Sequence, residues 1–426
     1  MVVTCLLTLT VLHTLNAALT LRWMLHAWRT PAELETTSFP EPDGEPRLSF
    51  SLLVPARHEE QVLPHTVGTL LGADHPDFEV VVITGDDDPG TTALAARLAA
   101  DNPERVRHVI DRHPEKNKPR ALNTALDTCR GEVIGVFDAE DVVHPRLLSH
   151  VDHALRTRSA DVVQGGVQLM NHADSWYALC NCLEYFFWFR SRLHVHARQG
   201  FIPLGGNTVF IRAALLREAG GWDGDCLAED CELGVRLSSR GVRVVVGYHP
   251  ALVTREETPG TLRALVRQRT RWNQGFLQVL RKGEWRRLAT VRQRVLARYV
   301  LATPFFQAFT ALCMPMVFVT ALMDGIPLAA ALFAWLPALL MVAMTLFECA
   351  GLHDFGREYG RTVRPIQHLT LWWGLPLYSV VLAAAAFRAV WRECRGRNDW
   401  ELTAHTGAHL HAPDPPVGRP EGHEGS

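Results

Sequence analysis

Asp138, Glu140 and Asp141 place three carboxylates within four positions, at the end of an apolar run that starts at Val133. Val133, Ile134, Val136 and Phe137 read as a short β-branched strand buried on both faces, bounded by Gly131 and Pro145. The acids then sit at its carboxyl end. In an open α/β sheet that end faces the ligand crevice, where clustered hard oxygen donors suit a divalent cation (Mg or Mn) carrying substrate phosphates. A solvated turn would use the same residues, so the surrounding chain has to decide.

The elements that would position these acids alternate between strand and helix. A strand over residues 48–54 leads into Pro55 and Glu59, a helix over 61–71 follows, and a strand over 78–84 ends in Asp86, Asp87 and Asp88. A helix over 91–100 and a strand over 106–110 complete a βαβ pattern, which predicts an α/β fold with a mostly parallel sheet. An Asp-rich turn is often only a helix cap. Two acidic strand ends in one sheet nevertheless favour a nucleotide site. Lys116, Lys118 and Arg120 precede a helix that carries Asn123, and positive side chains at a helix amino end favour an anion such as pyrophosphate. Further on, a glycine turn at Gly205 and Gly206 feeds a strand, and Glu229 and Asp230 open an amphipathic helix with Leu233 and Leu237 on its apolar face. Those acids could simply complement the helix dipole. Gln268, Arg271 and Trp272 lie on a later helix, where Arg271 and Trp272 would also serve as interfacial anchors. Asn207 and Trp222 read as structural.

The 426 residues carry a net charge of −2, so nucleic acid is not the default partner. Nine cysteines without a Cys-x-x-Cys pair signal neither a disulfide framework nor a zinc site. Apolar residues concentrate at the two ends of the chain. Residues 1–21 contain no Asp, Glu, Lys or Arg, and Arg22 and Arg29 follow the apolar stretch, as expected for a membrane helix or signal anchor with its downstream side cytoplasmic. The expected organisation is a transmembrane helix (1–28), a Pro-rich linker (29–46), a cytoplasmic catalytic domain (47–260), a basic amphipathic interfacial region (261–298), a transmembrane region (299–392) and a cytoplasmic tail (393–426) disordered over 412–426. The basic region holds eleven Lys or Arg against Glu284 alone, which suits an anionic leaflet.

Segments 299–323, 326–347 and 366–387 are each apolar enough to span. If all crossed, the C-terminal arginines would lie opposite the catalytic domain, against the positive-inside tendency. One segment is therefore expected to be re-entrant or interfacial, and Pro304 and Pro315 mark 299–323 as the suspect.

Taken in order, Pro55-x-x-x-Glu59, the turn at Asp86 to Asp88, Lys118-Pro-Arg-Ala-Leu-Asn123, Asp138-Ala-Glu-Asp141, Ala228-Glu-Asp230 and Gln268-x-x-Arg-Trp272 resemble family-2 glycosyltransferases. The similarity is to the membrane-embedded cellulose, chitin and hyaluronan synthase-like branch, and it covers roughly residues 47–272. It implies an inverting, GT-A, Rossmann-like enzyme with N-terminal and C-terminal transmembrane helices in the plasma membrane. It further implies nucleotide-sugar binding at Pro55, Glu59, Asp86 or Asp88 and Lys118, a divalent cation at Asp138 and Glu140 with Asp141 beside them, and a general base at Asp230 next to Glu229. Gln268, Arg271 and Trp272 would line the acceptor site and contact the leaving diphosphate. The metal motif reads Asp-Ala-Glu-Asp, and Thr84-Gly85 stands where the family has an Asp pair. The implied acceptor is a growing polysaccharide. A lipid or lipid-linked acceptor is the alternative, and an inactive membrane scaffold of the same fold a further one.

Overall fold

The computed structural model describes residues 2–28, 39, 41–323, 327–401 and 407. Most of the expected linker and the expected disordered tail lie outside the described residues. The helices are α1 (Val2–Leu25), α2 (Leu63–Leu71), α3 (Pro89–Asp101), α4 (Lys118–Leu126), α5 (Leu147–Thr157), α6 (Trp176–Phe187) and α7 (Leu193–Arg198). They continue as α8 (Ala213–Ala219), α9 (Glu229–Ser239), α10 (Leu262–Lys282), α11 (Val291–Met323), α12 (Leu328–Ala334), α13 (Leu336–Glu358) and α14 (Pro365–Cys394).

Strands β1 (Phe50–Ala56), β2 (Phe78–Gly85), β3 (Val106–Asp111) and β4 (Val133–Val136) are parallel and lie in the order β3-β2-β1-β4. The bounds fall within two residues of those expected. All of β2 and β4 is buried, as their unbroken apolar runs require. The sheet continues through β7 (Val209–Arg212), β5 (Val162–Gly165) and β8 (Val244–Gly247), with β7 antiparallel to both β4 and β5. A separate parallel pair joins β6 (Val167–Leu169) to β9 (Thr254–Glu256). The strand order reverses at β1, between β2 and β4, so the crevice of an open α/β sheet opens there, at the carboxyl ends that carry Glu59, Asp86 and Asp138.

Among the described residues, four segments are long and apolar enough to cross a membrane: Val3–Leu25, Val291–Cys313, Leu328–Glu358 and Pro365–Cys394. Three of them have one end on the α/β domain. α1 arrives with the Trp23 carbonyl accepting from Ser191, α11 departs near Gln293, which donates to the Gln199 carbonyl (2.9 Å), and α13 returns with Glu358 paired to Arg190. α11 runs unbroken through Pro304 and Pro315.

α14 stays beside α10 along much of its length. Trp373 meets Trp176 of α6 at 5.8 Å between ring centroids, the Tyr378 hydroxyl lies 3.1 Å from Arg269, Arg392 donates to Gln274 (3.0 Å), and Glu393 pairs with Arg281. Exposed Ile366, Leu369, Leu377, Val380, Phe387 and Trp391 follow helical spacing away from α10. Both ends of α14 thus remain with the domain, and so does the basic stretch from Arg388 to Arg397. The basic helix α10 is itself held by the domain, because its inner face is buried.

Contact between α10 and α9 is close enough to require glycine. A Cβ at Gly275 would lie 2.4 Å from the Ala228 backbone nitrogen. Gly275→Ala should force the helices apart and lower stability by about 1–3 kcal/mol. The check is thermal unfolding of the purified protein in detergent, where an unchanged transition would contradict this packing.

Candidate active site

The carboxyl ends of β1 and β4, the glycine turn before β7, the start of α9 and the middle of α10 surround one cavity of about 1020 Å³. Lys118, in the first turn of α4 behind the Asn117 cap, reaches its centre. Its ammonium pairs with Asp138 and donates to the Gly206 carbonyl (2.7 Å). Burial disfavours its charge, but Asp138, Glu229 and Asp230 outweigh that and hold Lys118 above the ordinary lysine range. A Cβ added to Gly206 would lie 3.1 Å from Asp230 Oδ2 and 3.5 Å from the Lys118 ammonium. The bare turn is what lets Asp230, Lys118 and the backbone converge.

Glu229 and Asp230 open α9 without a side-chain cap. Burial and the adjacent Asp230 push Glu229 up to about 8, against Lys118 and Arg271. Burial also raises Asp230, opposed by the Cys231 N–H that donates to its Oδ1 (2.7 Å) and by the same two cations. Gln268, Arg271 and Trp272 line the cavity from α10. Arg269 stacks on Trp272 (4.7 Å from Cζ to the ring centroid) and Arg271 on Trp400 (4.4 Å).

Asp138 and Glu140 both line this cavity, whereas Asp141 is fully buried behind them. Asp141 accepts from the Asp138 N–H (2.8 Å) and from Asn207 Nδ2 (2.9 Å), and burial together with Glu256 raises its pKa well above the carboxylate range. Its place is that of a brace for the turn, so of the three expected metal residues only Asp138 and Glu140 are presented to a ligand. Among the described residues no cluster of three or more His, Cys, Asp or Glu forms a closed metal cage. Two carboxylates beside a cationic side chain fit a hard cation that takes its remaining ligands from phosphate and water. Asn207, expected to be structural, also donates to Glu256, and Thr208 beside it is held at φ +51°.

Residues 46–275, more than half of the chain, match the family model for glycosyltransferase like family 2. The chain belongs to that family. It is 27% identical over 243 residues to the probable glycosyltransferase YdaM of Bacillus subtilis (54% of this chain, 56% of that protein). It is 29% identical over 234 residues to the β-monoglucosyldiacylglycerol synthase of Trichormus variabilis (54% and 49%), and 21% identical over 266 residues to the poly-β-1,6-N-acetyl-D-glucosamine synthase of Staphylococcus epidermidis (59% and 60%). The chain spans about half the length of the first of these curated relatives. A solved mannosyltransferase, PcManGT from Pyrobaculum calidifontis in complex with GDP-Man and Mn2+, shares the GT-A fold at a TM-score of 0.61 and 20% identity, covering 92% of this chain and all of that one.

Within this glycosyltransferase domain the expected nucleotide residues divide. Pro55, Glu59 and Lys118 line the cavity. Asp88 caps α3, accepting from the Thr91 N–H (3.2 Å) and the His58 N–H (2.6 Å), while Asp86 is not itself in the cavity lining but pairs with Lys116 (2.5 Å), which is. Arg120 and Asn123 do not face the crevice either: Arg120 pairs with Asp225 (2.6 Å) and Asn123 donates to the Trp222 carbonyl (2.7 Å). Asp111, at the end of β3, does line the cavity and was not among the expected residues. The strand-end rule that singled out Asp138 applies to it equally. Trp400 was also missed, because only the fold of the C-terminal segment back over α10 brings it to Arg271.

Gly206→Ala should lower sugar transfer by about tenfold or more, since a shift of under an ångström at the reacting centre is costly, while nucleoside diphosphate binding changes little. Turnover and calorimetric binding of UDP and GDP would check this. An equal loss in both would move Gly206 from the reacting centre to the donor pocket.

Proposed function

We propose that the protein is a membrane-bound, inverting glycosyltransferase that moves a sugar from a nucleotide-diphosphate sugar to a lipid or lipid-linked acceptor. One observation carries this reading: the cavity that holds Lys118, Asp138 and Asp230 continues between the membrane helices, where Met24, Val300, Met341, Met344 and Leu375 line it. A water-soluble donor would enter from the domain and an amphiphilic acceptor from the bilayer. The catalytic domain would face the cytoplasm, with α1, α11 and α13 crossing the plasma membrane and α14 lying along its surface. A growing polysaccharide is the second reading, favoured by polar His13, Asn16, Thr20, Gln307 and Thr310, which line the same cavity within the helices.

In either case Asp230 takes the proton of the acceptor hydroxyl as that oxygen attacks the anomeric carbon. The bond from this carbon to the diphosphate oxygen breaks on the opposite face, so configuration inverts. Lys118 and Arg271 stabilise the charge that develops on the departing diphosphate. Asp138 and Glu140 would hold a divalent cation, which when bound supplies further neutralisation of the diphosphate. Pro55 and Glu59 shape the nucleotide end, while Gln268 and Trp272 form the acceptor side.

Asp230→Asn should abolish transfer and leave donor binding nearly intact, as measured by single-turnover assay and calorimetry. Equal loss of donor affinity would reassign the residue. The base must be ionised, and burial raises Asp230, so the acidic limb of kcat/KM should fall clearly above the ordinary Asp value of about 4. A pH profile with its limb at that ordinary value would place the base elsewhere. Trp272→Ala separates the two acceptors. Shortened polymers made at normal donor affinity would support the polysaccharide reading, whereas a single sugar on a lipid, measured by mass spectrometry, is the expected product.

A further inference from the structure

Arg192 is a cation of the cavity that the transfer chemistry does not use. It ends the π-helical turn Trp188–Arg192 between α6 and α7, an irregularity often found at ligand sites, and lines the cavity together with Asn16, Thr20 and Trp23 of α1. Its guanidinium carbon lies 4.4 Å from the ring centroid of Trp23 and 5.1 Å from that of Trp188. Among the described residues it makes no ion pair, and its buried Nε has no hydrogen-bond partner. Burial pulls its pKa down to about 10, still leaving it charged at neutral pH. Glu184, whose charge it feels, is already committed to Arg269 (2.7 and 2.8 Å) and to the Tyr378 hydroxyl (2.8 Å).

A guanidinium removed from water without a carboxylate is costly unless a ligand supplies the counter-charge. Its planar fork matches phosphate oxygens, and the aromatic rings hold that fork in place. The apolar cavity wall of Met24, Val300 and Leu375 suits hydrocarbon. We propose that Arg192 seats the phosphate of an anionic acceptor lipid, so that the acceptor carries a phosphate group and is not a neutral lipid. This rests on the lipid-acceptor reading above and adds the headgroup. Inorganic phosphate and the donor diphosphate share the chemistry but lack the hydrocarbon that the neighbouring wall accommodates.

The test uses the full chain in phosphatidylcholine nanodiscs, with phosphatidic acid and diacylglycerol of the same tails as probes and inorganic phosphate as a soluble control. Saturable binding of phosphatidic acid is expected, with diacylglycerol and inorganic phosphate at least about tenfold weaker. Arg192→Gln should weaken phosphatidic acid binding by about tenfold or more, the scale of a lost charged hydrogen bond. Arg192→Lys should lose less, and neither should alter UDP or GDP affinity. The exposed pair Arg263→Gln and Arg267→Gln should bind phosphatidic acid as the native chain does. Equal binding of the two lipids, equal competition by inorganic phosphate, or native-like binding by Arg192→Gln would overturn the proposal. So would a parallel loss of nucleotide affinity, which would place Arg192 in the donor site, or loss of binding only on removing the exposed arginines. If Arg192→Gln does not fold, the two lipids on the native chain and Arg192→Lys decide. Sugar transfer to diacylglycerol with no phosphate requirement would sink this inference and leave the lipid-acceptor reading standing. Polymer products without any glycolipid would sink that reading, while the binding arm would still report on Arg192.

Discussion

The guanidinium of Arg269 fastens the catalytic domain to the helices that carry it. From α10 it reaches both oxygens of Glu184 on α6, the Asn181 side chain (2.5 Å) and the Tyr378 hydroxyl on α14 (3.1 Å), and it stacks on Trp272. One buried charge thereby sets the position of the helix that bears Gln268 and Arg271, the wall that bears Glu184, and the helix that closes the cavity from the bilayer side. Because burial is compensated only when every partner is in place, such a network fixes a unique arrangement more than it adds net stability. The α10 wall of the site inherits its geometry from this node.

The wall around Lys118 depends on a different set of contacts. Lys118 lies among Asp138, Glu229, Asp230 and the Gly206 carbonyl, so one cation balances carboxylates from two ends of the chain's catalytic half. Behind it, Asp141, Asn207 and Glu256 tie the turn after β4 to the turn before β7 and to β9. Thr208, a β-branched residue at φ +51°, is held there by bonds from its hydroxyl to Asn207 (3.1 Å) and Thr254 (2.6 Å). Rigid support of this kind lets a bare glycine turn pass between Lys118 and Asp230 without drifting.

The sheet was legible because buried parallel strands must be continuously apolar, and the strand-end rule pointed to Asp138 and Glu140 on physical grounds, whereas Glu59 came only from the family resemblance. The same rule could not say which of several adjacent acids turns inward. Asp88 and Asp141 are occupied by backbone N–H groups, and Asp111, a lone acid, gave no cluster to notice. Hydropathy likewise cannot separate a crossing helix from one lying along a domain. The apolar stripe of α14 has the composition of a span, and only Arg392 and Glu393 bonded to α10 show where its far end rests. Pro304 and Pro315 leave α11 continuous, since a helix packed against neighbours can keep its course through proline.

On the proposed lipid-acceptor reading the cavity joins two phases, and that has a kinetic consequence. A donor dissolved in water is counted per volume, but an acceptor entering sideways between α1, α11 and α14 is counted per area of bilayer. Saturation by such an acceptor would follow its mole fraction among the lipids, so diluting it with inert phospholipid at constant bulk concentration would slow the enzyme, while adding more vesicles of the same composition would not. The membrane then acts as the second solvent of the reaction.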